Sequence, residues 1–113
     1  MHEWSLVQAL QSRIEREAAE RSATAVSRVR VQIGELAGVE SELFALAFET
    51  MRQGTICAAA ELEIVAVAAR WSCPGCGAAP VAGEVLRCPR CARPMRLVEG
   101  DGIVLERIEM EVA

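Results

Sequence analysis

From Ser5 to about Glu20, the apolar residues Leu6, Val7, Leu10, Ile14 and Ala18 recur at three- and four-residue spacing, with Arg13, Arg16, Glu17 and Glu20 between them. That period predicts an amphipathic helix with one apolar face. Ser22 and Thr24 break it, and from Ala25 to Ile33 the residues Val29, Val31 and Ile33 alternate with Arg28, Arg30 and Gln32. A period of two predicts a half-buried strand, which Gly34 ends. Glu40 to Gln53 holds Leu43, Phe44, Leu46, Ala47, Phe48 and Met51. These cover so much of the circumference that a mostly buried second helix is expected, stopped at Gly54. Glu61 to Ala69 is rich in Ile and Val and predicts a strand buried on much of both faces. Ile103 to Val112 predicts a last strand whose phase slips between Leu105 and Ile108, the mark of a bulge.

Between the last two strands the pattern is lost. From Trp71 to about Gly102, Pro, Gly and Cys accumulate and no helical period survives, so this stretch reads as a loop-rich insert. The expected class is α/β (α+β): two helices on a small mixed sheet, with a four-cysteine, zinc-ribbon-like module inserted before the closing strand. In residue ranges, 1–70 plus 102–113 form the α/β domain and 71–101 the metal-held module.

The chain has 113 residues, enough for one core and a stapled appendage but not for two large domains. Apolar residues make up 52% and charged residues 25%, the balance of a chain that folds. Its longest apolar run, Ile64 to Ala69, is far short of the roughly 20 residues a membrane helix needs. The opening Met1-His2-Glu3-Trp4 lacks the basic start and apolar stretch of a secretory signal, so a cytoplasmic location is expected and no membrane partner. All 12 basic residues are Arg, yet the net charge is -4, which argues against a general nucleic-acid binder. Partners are therefore expected to be proteins or metal ions, not nucleic acid.

The strongest local signal is a pair of C-x-x-C motifs, Cys73-Pro-Gly-Cys76 and Cys88-Pro-Arg-Cys91, eleven residues apart. Each turns the chain tightly enough for two sulfurs to meet one ion while the following amides point at the first thiolate, and two such turns complete a tetrahedron. Zinc fits four sulfurs with no open position. Two disulfides would suit a secreted chain, rubredoxin-type iron usually sits among aromatics, and a thioredoxin-type dithiol needs one pair only. Cys57 has no partner pair and reads as a small buried residue. Arg70, Arg87, Arg90, Arg93 and Arg96 crowd the insert; they either offset the charge of a four-thiolate zinc site or are simply solvated.

His2 is the one histidine. Its imidazole, the amine of Met1 and the intervening backbone nitrogen can all reach a single ion, and a planar nitrogen-rich set suits Ni(II) or Cu(II). Glu3 can orient the imidazole or add an oxygen. The residues alone leave a second reading open, since histidines near a frayed terminus commonly do nothing.

Met1-His2-Glu3 followed by Trp4-Ser5-Leu6 resembles the start of the HypA/HybF family of hydrogenase nickel-incorporation proteins. Gly34-Glu35-Leu36-Ala37-Gly38-Val39-Glu40 is similar to that family's segment after its first strand. The Leu43 to Glu49 helix, Gly54-Thr55 and the paired cysteines follow in the family's order, so the resemblance spans nearly the whole chain. It implies a nickel site at His2 with Glu3 beside it, and a structural zinc at Cys73, Cys76, Cys88 and Cys91. It further implies a nickel metallochaperone, not an enzyme, that serves the large subunit of a [NiFe] hydrogenase with a HypB-type GTPase as partner, and urease maturation as a second destination. Trp4 departs from the smaller apolar residue of many relatives. The competing readings are a zinc-ribbon module that binds protein or nucleic acid, with no nickel role, and a small iron–sulfur electron carrier.

Overall fold

The computed structural model describes residues 2–79 and 86–113. Helix α1 spans Glu3–Glu20, strand β1 Ala23–Gly34, helix α2 Ser41–Met51 and strand β2 Glu61–Val67. Short strands β3 (Arg70–Ser72) and β4 (Arg96–Glu99) follow, and β5 (Ile103–Val112) closes the chain. A three-stranded sheet has the order β2-β1-β5, with β2 parallel and β5 antiparallel to β1. β3 and β4 pair separately in an antiparallel ribbon. This is an α+β fold with mixed sheets, as expected from the sequence.

The parallel β1–β2 pair needs a crossover, and α2 supplies it. α1 packs on α2 and on β1 and β5, while α2 also lies against β2. Val7, Ile14 and Ala18 of α1 meet Val26, Val29, Val31 and Ile33 of β1 and Phe44, Ala47 and Phe48 of α2 in one apolar core. Cys57 is fully buried there, and burial pushes its thiol pKa up. The outer face of the sheet is polar: Arg28 lies 3.3 Å from Glu61 and 3.6 Å from Glu109, and Arg30 lies 2.6 Å from Glu106. These pairs stitch three strands together and neutralise the basic residues of β1, so that face offers no cationic track for nucleic acid.

Three details correct or refine the sequence reading. α1 begins at Glu3, two residues earlier than the apolar period indicates, because the His2 carbonyl already accepts the Leu6 amide at 3.0 Å. α2 buries only Phe44, Ala47 and Phe48, leaving Leu43 at 44% and Leu46 at 61% exposure, because a sheet of three strands covers a single stripe of the helix. β2 is likewise half-buried and not enclosed, being an edge strand. The bulge in β5 is present: Arg30 pairs with Arg107 and Val31 with Leu105, so Glu106 is the extra residue. β1 has matching irregularities at Thr24 and Ser27, whose hydroxyls donate to the carbonyls of Glu111 and Glu109, each at 3.1 Å. The bulge at Ser27 explains how Val26 and Val29, three residues apart, both face the core.

Among the described residues, no helix is long and apolar enough to cross a membrane. A radius of gyration of 18.1 Å exceeds the roughly 13 Å of a single compact body of this length. Buried residues accordingly fall into two clusters, the apolar core above and a small one of Cys73, Cys88 and Met95 with Trp71 against it.

Candidate metal centres

The four cysteines meet at one point. Sγ atoms of Cys73, Cys76, Cys88 and Cys91 all lie within 4.8 Å of one another, close to the roughly 3.8 Å separation that tetrahedral zinc–thiolate bonds of about 2.3 Å impose. Two turns of the same design bring them there. In the first, the Cys73 amide donates to the Ala78 carbonyl at 3.0 Å and the Gly77 amide to the Cys73 carbonyl at 2.9 Å. In the second, Cys88 and Arg93 repeat the first bond and Ala92 and Cys88 the second, each at 2.9 Å. The residue after each pair takes a left-handed conformation, Gly77 at φ 75° and Ala92 at φ 57°. Glycine adopts it freely, whereas alanine pays for its Cβ. Only the backbone shows that position 92 shares the constraint of position 77.

Backbone amides face the sulfurs of the leading cysteines. Gly75 donates to Cys73 at 3.3 Å, and Arg90 and Cys91 donate to Cys88 at 3.4 and 3.3 Å. The amides of Cys76 and Gly75 draw the Cys73 thiol down to about 6, while sharing protons with neighbouring sulfurs drives Cys91 up to about 12. Four thiols packed this closely resist full ionisation unless a cation joins them. Donors, spacing and amides thus fit a closed, four-coordinate zinc site. The Arg93 guanidinium folds over the first turn, 2.9 Å from where a Cβ on Gly75 would stand. Arg70 instead pairs with Glu99 at 3.1 Å and Arg87 donates to the Ala92 carbonyl at 2.9 Å.

At the other end, His2 is exposed and caps α1. The Met1 amine lies outside the described residues. Glu3 is 4% exposed, and its Oε2 accepts the Glu40 amide at 3.2 Å. That bond, with the Glu3 amide second, lowers its carboxyl from 4.5 to about 2. Glu40 is the N-cap residue of α2, so Glu3 ties the starts of both helices together and serves an orphan amide at a helix N-terminus. The sequence offered no period from which this contact across 37 positions could be read. Trp4 sits at the edge of the buried stripe, 45% exposed.

The family model described as hydrogenase/urease nickel incorporation, metallochaperone, hypA matches residues 1–110. The chain belongs to the HypA family. Proteins named hydrogenase maturation factor HypA from Aquifex aeolicus and Shewanella baltica are 37% and 34% identical to it, over 99% and 98% of this chain and 99% and 97% of theirs. The solution structure of the Ni metallochaperone HypA from Helicobacter pylori superposes with a TM-score of 0.77 at 32% identity, covering all of both chains. A second solution structure of a HypA protein gives 0.80 at 32% identity over 97% of this chain and 96% of that one. This HypA-family chain therefore belongs with the nickel-incorporation factors of hydrogenase maturation, a family of metallochaperones.

Proposed function

We propose that this protein carries Ni(II) at its N-terminal end and delivers it to the large subunit of a [NiFe] hydrogenase, with a HypB-type GTPase as partner and urease maturation as a second outlet. The family match supports the reading, and the observation that carries it is an exposed His2 held at the first turn of a packed helix. The amine of Met1, the His2 imidazole and the nearby backbone nitrogen make a planar nitrogen set for nickel. Glu3 stands beside them, its Oε2 accepting the Glu40 amide, and orients the imidazole or adds a ligand oxygen. A few ligands at a chain end permit release in a way that a buried cage does not. Cys73, Cys76, Cys88 and Cys91 hold a structural zinc that braces residues 71–101 as a module apart from 1–70 and 102–113. Cysteines free of disulfides suit the reducing cytoplasm, where the protein acts.

Calorimetric titration tests the nickel end. H2A, or residues added before Met1, should abolish specific nickel binding and leave zinc content unchanged; binding as tight as in the unmodified chain would refute the assignment. Because the nitrogen ligands must shed protons to bind, nickel affinity should also fall in mild acid.

A further inference from the structure

The cleft that His2 lines, about 310 Å³, is completed by Leu6, Ala37, Val39, Asp101, Gly102 and Ile103. Asp101 is the one carboxylate in that set, and it comes from far along the chain, on the turn between β4 and β5. Nearby acids are engaged elsewhere. Glu3 holds the Glu40 amide, Glu35 accepts the Ala69 amide at 3.1 Å, and Glu99 pairs with Arg70.

The turn that presents Asp101 is fixed on both sides. The Leu36 amide donates to the Gly100 carbonyl at 2.8 Å and the Gly34 amide to the Gly102 carbonyl at 2.9 Å. A Cβ on Gly34 would fall 2.3 Å from the Gly100 carbonyl, and Gly100, at φ 99°, is pressed against Ala68 and Ala69. Two glycines are thus spent on laying this turn across the end of β1, which holds residue 101 at the His2 cleft.

We propose that Asp101 is a positioning residue for nickel: when His2 binds the ion through one ring nitrogen, the Asp101 carboxylate accepts the N–H of the other. Such a carboxylate–imidazole–metal arrangement fixes the tautomer and the ring plane and makes the imidazole a better donor. Among the described residues no hydrogen bond orients the exposed His2 ring, and an acid on a rigid turn would supply one. Asp101 acts through His2 and does not touch the ion. The inference rests on the nickel reading above.

The test compares nickel affinity by competition titration for the full-length zinc-loaded protein, D101A, D101N, E99A and H2A. D101A should bind nickel about tenfold more weakly, the lower end of the usual effect of removing such a partner, with D101N in between. E99A removes the same charge two residues away, outside the His2 cleft, and should match the unmodified protein. The square-planar absorption of bound nickel should persist in D101A. Should D101A lose zinc or fold, D101N, which keeps the shape, carries the comparison. Unchanged affinity in D101N and D101A overturns the inference, as does an equal loss in E99A, which would mean long-range charge alone. A lost square-planar spectrum in D101A would make Asp101 a ligand and also overturn it. If H2A binds nickel as tightly as the unmodified chain, the nickel reading itself fails; a loss confined to H2A leaves that reading standing and removes only Asp101.

Discussion

The two candidate metal sites are built in opposite ways. At the cysteine end, two turns of one design, seven of whose backbone and sulfur hydrogen bonds are described above, converge four identical donors. Among the described residues, Trp71, Ala78 and Met95 pack there. At the histidine end the metal candidate is exposed, and the surrounding order comes from the apolar core, from Glu3 and from the 100–102 turn. On the proposed reading a zinc ion would organise one end, whereas protein contacts already order the other. Permanence and release follow from that difference.

Removing zinc should separate the ends most sharply. Structural sites of this kind contribute on the order of 10 to 16 kcal/mol, more than the small Cys73, Cys88 and Met95 cluster can replace by packing. A strong chelator, or C73S, should therefore collapse the amide resonances of β3 and β4 in a nitrogen–proton spectrum while those of α1, β1 and α2 remain. Simultaneous loss of both sets would show that the two regions fold as one.

A smaller effect is expected from E3Q, which weakens the clamp between the helix starts. The Glu3 carboxyl is held at about 2 against the usual 4.5, chiefly by the Glu40 amide. Its stabilising contribution is therefore fully present above pH 4.5 and disappears as pH falls through about 2. Melting temperatures of wild type and E3Q should differ by a constant amount at neutral pH and converge in strong acid. A gap that widens on acidification would contradict the clamp.

The smallest change sharpens the cysteine end. Ala92 occupies the left-handed position that Gly77 fills in the sister turn, so A92G should stabilise the module by about 1 kcal/mol. Slower zinc loss to a chelator would register it, and faster loss would show that the alanine is not strained.

Much of this was legible in the chain. Val29, Val31 and Ile33 face the core as their alternation indicates, the phase slip in the last strand is the Glu106 bulge, and the four spaced cysteines converge. These features are local, and periodicity or spacing reports local geometry well. What escaped was decided by contacts between distant segments. Leu43 and Leu46 belong to an apolar pattern, yet exposure depends on how many strands lie beneath α2. Glu3 finds the Glu40 amide and Asp101 finds the His2 cleft only after β1 and β5 have paired, and nothing in the neighbouring residues of either announces it.

The central claim, two metals in two separate places, is tested most directly by metal-resolved native mass spectrometry of untagged protein with nickel added. The account predicts one zinc and one nickel per chain, with H2A losing only nickel and C73S losing only zinc. Nickel retained in H2A but lost in C73S would place it among the cysteines and contradict the account.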